Sequence, residues 1–186
     1  QLNLDIVGSG ADEAFVIDFS DGNPLETVSL SLVGSGHATS DGDQLKLTGY
    51  EGESLVIYPV EADGGVVEID DVLFYFYGIE GLTDESTVDH RMVFWIPEED
   101  PAGTSTNPIT LDDNGQTDDN VSRITQTTNG FSIDFVSPGE LLTLRTSGGD
   151  DTITLKDTDG RCDASIEVVA GDGADHVVVE GGDLIV

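Results

Sequence analysis

Two short acidic loops carry the residue types that bind a divalent cation. The segments DDNGQTD at 112–118 and DTDGRCD at 157–163 both fit the pattern Asp-x-[Asp/Asn]-Gly-x-x-Asp. Alternating oxygen ligands in such a pattern face one ion, and the glycine permits the sharp turn that Ca²⁺ loops require. A metal-free turn between strands is the alternative interpretation. The predicted ligands are Asp112, Asn114 and Asp118 in the first loop, and Asp157, Asp159 and Asp163 in the second.

A second pattern combines glycines with an aspartate just before an apolar run. It occurs as GSGAD at 8–12, GGDD at 148–151 and GDGAD at 171–175. Glycine lets the backbone turn sharply, and the aspartate offers a carboxylate to an ion held between successive turns. Tight turns without metal would use the same residue types. The predicted ligands here are Asp12, Asp151, Asp172 and Asp175, and the predicted cofactor is Ca²⁺.

These turns resemble the haemolysin-type repeats of the repeats-in-toxin family, Gly-Gly-x-Gly-x-Asp-x-apolar-x. The resemblance implies a calcium-binding parallel β-roll and places Asp12, Asp151 and Asp175 at the ligand position. The copies here lie far apart instead of in tandem, as in the longer-period repeats of bacterial surface proteins. The two acidic loops resemble the middle of EF-hand and thrombospondin type 3 calcium loops, without the first and twelfth ligands of an EF-hand.

The charge of the chain limits its partners. It has 38 acidic and 6 basic residues among 186, a net charge of -32. Nucleic acid and anionic membrane surfaces are not expected as partners, because binding to both needs lysine and arginine. So acidic a chain repels itself unless cations neutralise it. Bound calcium, adaptation to high salt and simple solubility all remain open as reasons for the acidity.

Short apolar alternations predict strands throughout the chain, and no segment predicts a helix. Similar segments recur at fixed spacing: LDIVGSG at 4–10 returns at 30–36, and residues 141–155 return at 165–179. The predicted fold is therefore all-β, a right-handed parallel β-helix with coils of about 24–26 residues, with a β-sandwich as the alternative. A single domain over 1–186 is expected, with a loop excursion near 97–108. Two domains, 1–97 and 109–186, are the alternative.

These features favour a structural role over catalysis. The three histidines are scattered, and no Gly-x-Ser-x-Gly nucleophile motif is present, so no enzyme activity is expected. The predicted function is an extracellular or cell-surface, calcium-stabilised repeat module. It would self-associate or stack on neighbouring repeats, in one form as a filament or surface-layer subunit. An adhesin that binds glycan and a polysaccharide-active β-helix enzyme are the alternatives.

Overall fold

The computed structural model describes residues 2–36, 42–60, 63–95, 106–128 and 130–181. These residues are all-β, as predicted, and they contain no helix long and apolar enough to cross a membrane. The strands are β1 (Leu2–Val7), β2 (Ala14–Asp18), β3 (Val28–Val33), β4 (Gln44–Thr48), β5 (Glu51–Pro59), β6 (Gly65–Ile69), β7 (Val72–Tyr77), β8 (Gly81–Asp84), β9 (Thr87–Phe94), β10 (Pro108–Asp113), β11 (Val121–Gln126), β12 (Ser132–Val136), β13 (Leu141–Arg145), β14 (Thr152–Leu155), β15 (Ser165–Val169) and β16 (His176–Val179).

The strands form two eight-stranded mixed sheets. The first has the order β1-β3-β7-β6-β5-β9-β13-β15, and the second β16-β14-β10-β11-β12-β8-β4-β2. The chain passes back and forth between the sheets, and strands brought together in this way pair in parallel. Two antiparallel meanders interrupt this alternation: β5-β6-β7 in the first sheet and β10-β11-β12 in the second. Each sheet therefore carries one meander between two parallel parts.

The internal repeats are confirmed as strand partners. Leu4 lies opposite Leu30 in the first sheet, and Ile153 lies opposite Val177 in the second. The spacing of 24–26 residues holds for these pairs at the two ends. In the middle it is longer, since His90 lies opposite Leu141. The meanders cause the difference, because each adds two strands between parallel neighbours.

The core lies between the sheets and is built from alternate strand positions. Leu45 and Leu47 on β4 are fully buried, as are Phe74 and Phe76 on β7. The aromatic strand β7 is thus mainly buried in the core, although the Tyr75 side chain points outward and is 43% exposed. Burial of such aliphatic and aromatic side chains supplies most of the favourable folding energy.

The described strands on either side of residues 96–105 join the same two sheets. Phe94, at the end of β9, lies opposite Arg145 on β13. The loop excursion predicted near 97–108 falls mostly outside the described residues, which resume at residue 106.

Candidate functional site

A row of polar side chains lies along the side of the second sheet where its parallel strands begin, and we call it the carboxylate ladder. Each member occupies the position immediately before a parallel-paired strand of that sheet. The ladder has two parts because the β10-β11-β12 meander divides the sheet. Its members are Glu13, Asp43 and Glu80 in the first part, and Asn107, Asp151 and Asp175 in the second.

Hydrogen bonds run in one direction along the first part. The Glu13 backbone N–H donates to Asp43 Oδ1 at 2.8 Å, and the Asp43 N–H donates to Glu80 Oε2 at 2.6 Å. Each carboxylate thus accepts the backbone N–H of the neighbouring turn. Such charge-assisted bonds are stronger than bonds between neutral groups, so they fix the turns on one another.

The second part repeats this direction. The Asn107 N–H donates to Asp151 Oδ1 at 2.7 Å, and the Asp151 N–H donates to Asp175 Oδ1 at 3.0 Å. The structure therefore brings together two predicted ligands, Asp151 and Asp175. It shows them accepting backbone hydrogen bonds, a role that the sequence did not predict.

Three carboxylate oxygens of the ladder are buried without a hydrogen-bond donor among the described residues. They are Glu13 Oε2, Asp43 Oδ2 and Asp151 Oδ2. Asp43 and Asp151 are both 0% exposed. A buried carboxylate oxygen without a donor or cation is costly, since it has lost its water. These atoms are the strongest indication of a ligand in the described structure.

The missing side chains of two glycines leave space for Asp43 Oδ2 and Glu13 Oε2. A Cβ on Gly34 would lie 2.3 Å from Asp43 Oδ2 and 1.9 Å from the Gly78 carbonyl oxygen. A Cβ on Gly8 would lie 2.7 Å from Glu13 Oε2. Gly8 and Gly34 directly follow the paired residues Val7 and Val33. The repeated Val-Gly-Ser-Gly therefore has a physical cause: a carboxylate folds back over the first glycine of each copy.

The Glu13 carboxylate is held in place by Ser9. The Ser9 hydroxyl and the Ser9 backbone N–H both donate to Glu13 Oε1. These bonds, led by that of the Ser9 hydroxyl, lower the pKa of Glu13, and the neighbouring Asp43 carboxylate lies within hydrogen-bonding reach. Glu13 is therefore ionised at neutral pH.

The two acidic loops lie against each other. The Asp119 N–H donates to Asp159 Oδ2 at 3.0 Å, and the Asp113 N–H donates to the Asp157 carbonyl oxygen at 2.9 Å. Asp159 is only 2% exposed, and its Oδ1 accepts the Arg161 N–H at 2.8 Å. Its Oδ2 therefore links the two loops, and its Oδ1 fixes the turn of its own loop.

Two of the predicted ligands in the first loop, Asn114 and Asp112, have partners within the protein. Asn114 Oδ1 accepts the Gln116 N–H at 2.8 Å, and Asp112 Oδ2 lies 3.3 Å from Lys156 Nζ. Asp118 and Asp163 are exposed, as are Asp12, Asp157 and Asp172. Within the described ranges, no group of three or more His, Cys, Asp or Glu side chains is arranged to hold a metal ion. The ligands predicted in these loops therefore stay a prediction.

The chain matches no protein-family model, no curated protein and no solved structure.

A cleft of about 490 Å³ lies beside the β6–β7 turn. Its walls include Phe19 and Tyr50, whose rings meet edge to face at 5.7 Å between centroids. The Tyr50 hydroxyl donates to Asp70 Oδ1 at 2.8 Å. Burial raises the pKa of Tyr50 to about 12, and the bond to Asp70 contributes to the shift. Aromatic rings beside carboxylate and amide groups are able to bind a polar ligand such as a sugar.

The sequence prediction missed Glu13, Asp43 and Glu80. Alignment of the Gly-x-Gly-x-Asp pattern selected Asp12, whereas the ladder uses the next residue, Glu13, because that residue directly precedes β2. The available signal was positional: an acidic residue or asparagine stands immediately before β2, β4, β8, β10, β14 and β16.

Proposed function

We propose that this chain is a non-enzymatic structural repeat module that stacks end to end with further copies or neighbouring repeats. In this proposal the two sheets are the long faces of a right-handed parallel β-helix. The transfer of the chain between sheets and the parallel pairing of sequence repeats support that fold. A β-sandwich is the alternative description of the same two sheets.

The observation that carries the proposal is the pair of uncovered ends. On β1, Leu4 and Ile6 lie opposite the buried Leu30 and Leu32, yet they are 43% and 40% exposed. At the other end, Val177 lies opposite the buried Ile153 and is 49% exposed. Among the described residues, core positions are therefore open at both ends, on strands with no further strand beyond them.

The hydrogen-bonding groups of the ladder at the two ends of the molecule are complementary. The ladder bonds run from each N–H to the carboxylate of the next turn, up to Asp175. In a head-to-tail stack, the Glu13 carboxylate of the following copy would occupy the place that continues this series. Such a contact is heterologous and does not close, so it produces a filament.

Sedimentation velocity of residues 1–186 over a concentration series tests the stacking. The net charge of -32 opposes association, so we expect oligomers in 1 M KCl, where the screening length is only about 3 Å, and fewer at 0.05 M. Ile6→Glu should abolish them because Ile6 faces the core end. Tyr75→Glu adds the same charge at an exposed position on β7, inside the first sheet and away from its end strands, and should leave them intact. Monomers under all conditions would contradict self-stacking.

The cleft at Tyr50 supports a second candidate, a glycan-binding module. The exposed Asp70 carboxylate on its wall would accept hydrogen bonds from sugar hydroxyls, whereas the rings of Phe19 and Tyr50 are only 4% and 7% exposed and shape the floor of the cleft. A glycan array with wild type and Asp70→Ala tests it: binding that Asp70→Ala removes would favour an adhesin. The proposed cell-surface or extracellular location depends only on the resemblance of the Gly-Asp turns to surface-protein repeats.

A further inference from the structure

We propose that Glu13 and Asp43 together bind one Ca²⁺ ion, through Glu13 Oε2 and Asp43 Oδ2. Neither residue belongs to the two acidic loops, and the site differs from the set predicted from sequence. The proposal does not depend on the proposed function, because the site is complete within one chain.

Negative charge is buried at Glu13 and Asp43. Asp43 is 0% exposed, and its Oδ2, like Glu13 Oε2, has no hydrogen-bond donor among the described residues. Within the same ranges, no lysine or arginine forms an ion pair with either residue. Two adjacent carboxylates with desolvated oxygens repel each other unless a cation or a proton lies between them.

The second argument is the spacing of the turns. Glu13 and Asp43 precede β2 and β4, which pair directly, with Ala14 opposite Gln44. Neighbouring strands lie about 4.8 Å apart. That distance is about twice a Ca²⁺–oxygen bond of roughly 2.3–2.6 Å. An ion midway between the two turns would therefore reach an oxygen from each. Mg²⁺, with bonds of about 2.0–2.1 Å and strict octahedral geometry, fits this spacing less well.

The third argument is the glycine row beneath the carboxylates. Asp43 Oδ2 and the Gly78 carbonyl oxygen both border the point where a Gly34 Cβ would lie. A backbone carbonyl oxygen is a further ligand of the type that Ca²⁺ accepts. The glycines thus allow carboxylate and carbonyl oxygens to converge, which a side chain at position 34 would prevent.

Calorimetry and thermal unfolding of the metal-free full chain test the site, with CaCl₂ as the probe at constant ionic strength. Ca²⁺ at about 100 times its Kd should raise the Tm of the wild type by roughly 5–10 °C. MgCl₂ should produce a smaller shift. Asp43→Asn keeps the Oδ1 acceptor for the Glu13 N–H and places an N–H₂ donor beside Glu13 Oε2. This variant should lose one bound Ca²⁺ and melt higher than wild type in EDTA.

Glu13→Gln gives the same readout if Asp43→Asn fails to fold, since Glu13 is only partly buried. Glu26→Gln removes an equal charge at an exposed position and should bind Ca²⁺ like wild type. A wild type that ignores Ca²⁺ overturns the proposal, and so does an equal response from Asp43→Asn, Glu13→Gln and Glu26→Gln. Stabilisation by acidification alone would also overturn it, because a proton would then bridge the pair.

Discussion

Arg91 and Asp84 form an ion pair inside the protein, with Arg91 Nη2 2.6 Å from Asp84 Oδ2 and both side chains 0% exposed. The guanidinium also donates to the carbonyl oxygens of Ser86 and Val136 and lies 5.2 Å from the centroid of the Phe135 ring. Asp84 ends β8 and Val136 ends β12 in the second sheet, whereas Arg91 lies on β9 in the first, so the arginine joins the two sheets.

Arg91→Met should therefore destabilise the protein strongly. It leaves the Asp84 carboxylate buried without a cation, which costs about 3–5 kcal/mol. Lys46→Met is the matched control, because it breaks an ion pair with Glu85 in which both side chains are over 40% exposed. The loss of stability in this variant should stay below about 1 kcal/mol. Urea unfolding followed by circular dichroism measures both. Equal losses for the two variants would contradict the assigned role of the buried pair.

Gly34→Ala should destabilise the turn that carries the carboxylate ladder. The new Cβ would meet the Gly78 carbonyl oxygen at 1.9 Å, and backbone cannot easily move away. We expect a loss of about 1–3 kcal/mol, the usual cost of overpacking. In Gly139→Ala the nearest atom is the end of the Asp89 side chain at 3.1 Å, which can rotate. Chemical denaturation should therefore show a clear loss only at position 34.

Stability should fall at high pH because of Tyr50. Its pKa is about 12 in the folded protein against 10 for an ordinary tyrosine, so folding favours the protonated phenol. This contribution is fully present below pH 10 and is lost as the pH rises from 10 to about 12. Tyr50→Phe should remove this part of the alkaline transition, whereas Tyr75→Phe, at an exposed position, should retain it. Absorbance of the tyrosinate and thermal melts across this range give the two readouts.

Asp159→Ala should separate the two acidic loops. It removes the acceptor of the Asp119 and Arg161 N–H groups, and leaving such groups unsatisfied costs about 1–3 kcal/mol. Asp163→Ala, at an exposed position of the same loop, should change stability by less than about 0.5 kcal/mol. Both values should be the same in EDTA and in CaCl₂ if the loops bind no metal. A loss for Asp159→Ala that appears only with calcium present would instead support the loop ligands predicted from sequence.

The repeats were the most informative part of the sequence. The match between residues 4–10 and 30–36 predicted that Leu4 and Leu30 would occupy equivalent positions, and they face each other across β1 and β3. Alternating apolar residues likewise predicted β4 and β12, because one buried face imposes a period of two.

The meanders were not predictable from the same signals. The turn between β6 and β7 has positive φ at Asp70 and Asp71, 52° and 62°. Hairpin turns of this type usually contain Asn-Gly or Asp-Gly, whereas this turn has Asp-Asp and lacks the glycine. The ladder was hidden for another reason: a residue's place immediately before a strand is defined only when the strand boundary is known. Glu13 and Asp12 are indistinguishable until β2 is seen to begin at Ala14.

The two antiparallel meanders also bear on the order in which the protein folds. The β6–β7 turn joins Ile69 to Val72, so that hairpin closes a very short loop, whereas Leu4 must find Leu30 and His90 must find Leu141. Loop-closure entropy makes distant pairings slow. We therefore expect the meanders to form first as folding nuclei. The parallel strands would then add to them one after another, with β1 and β16 joining last. In hydrogen exchange, protection would then be greatest in the middle of each sheet and least at its terminal strands.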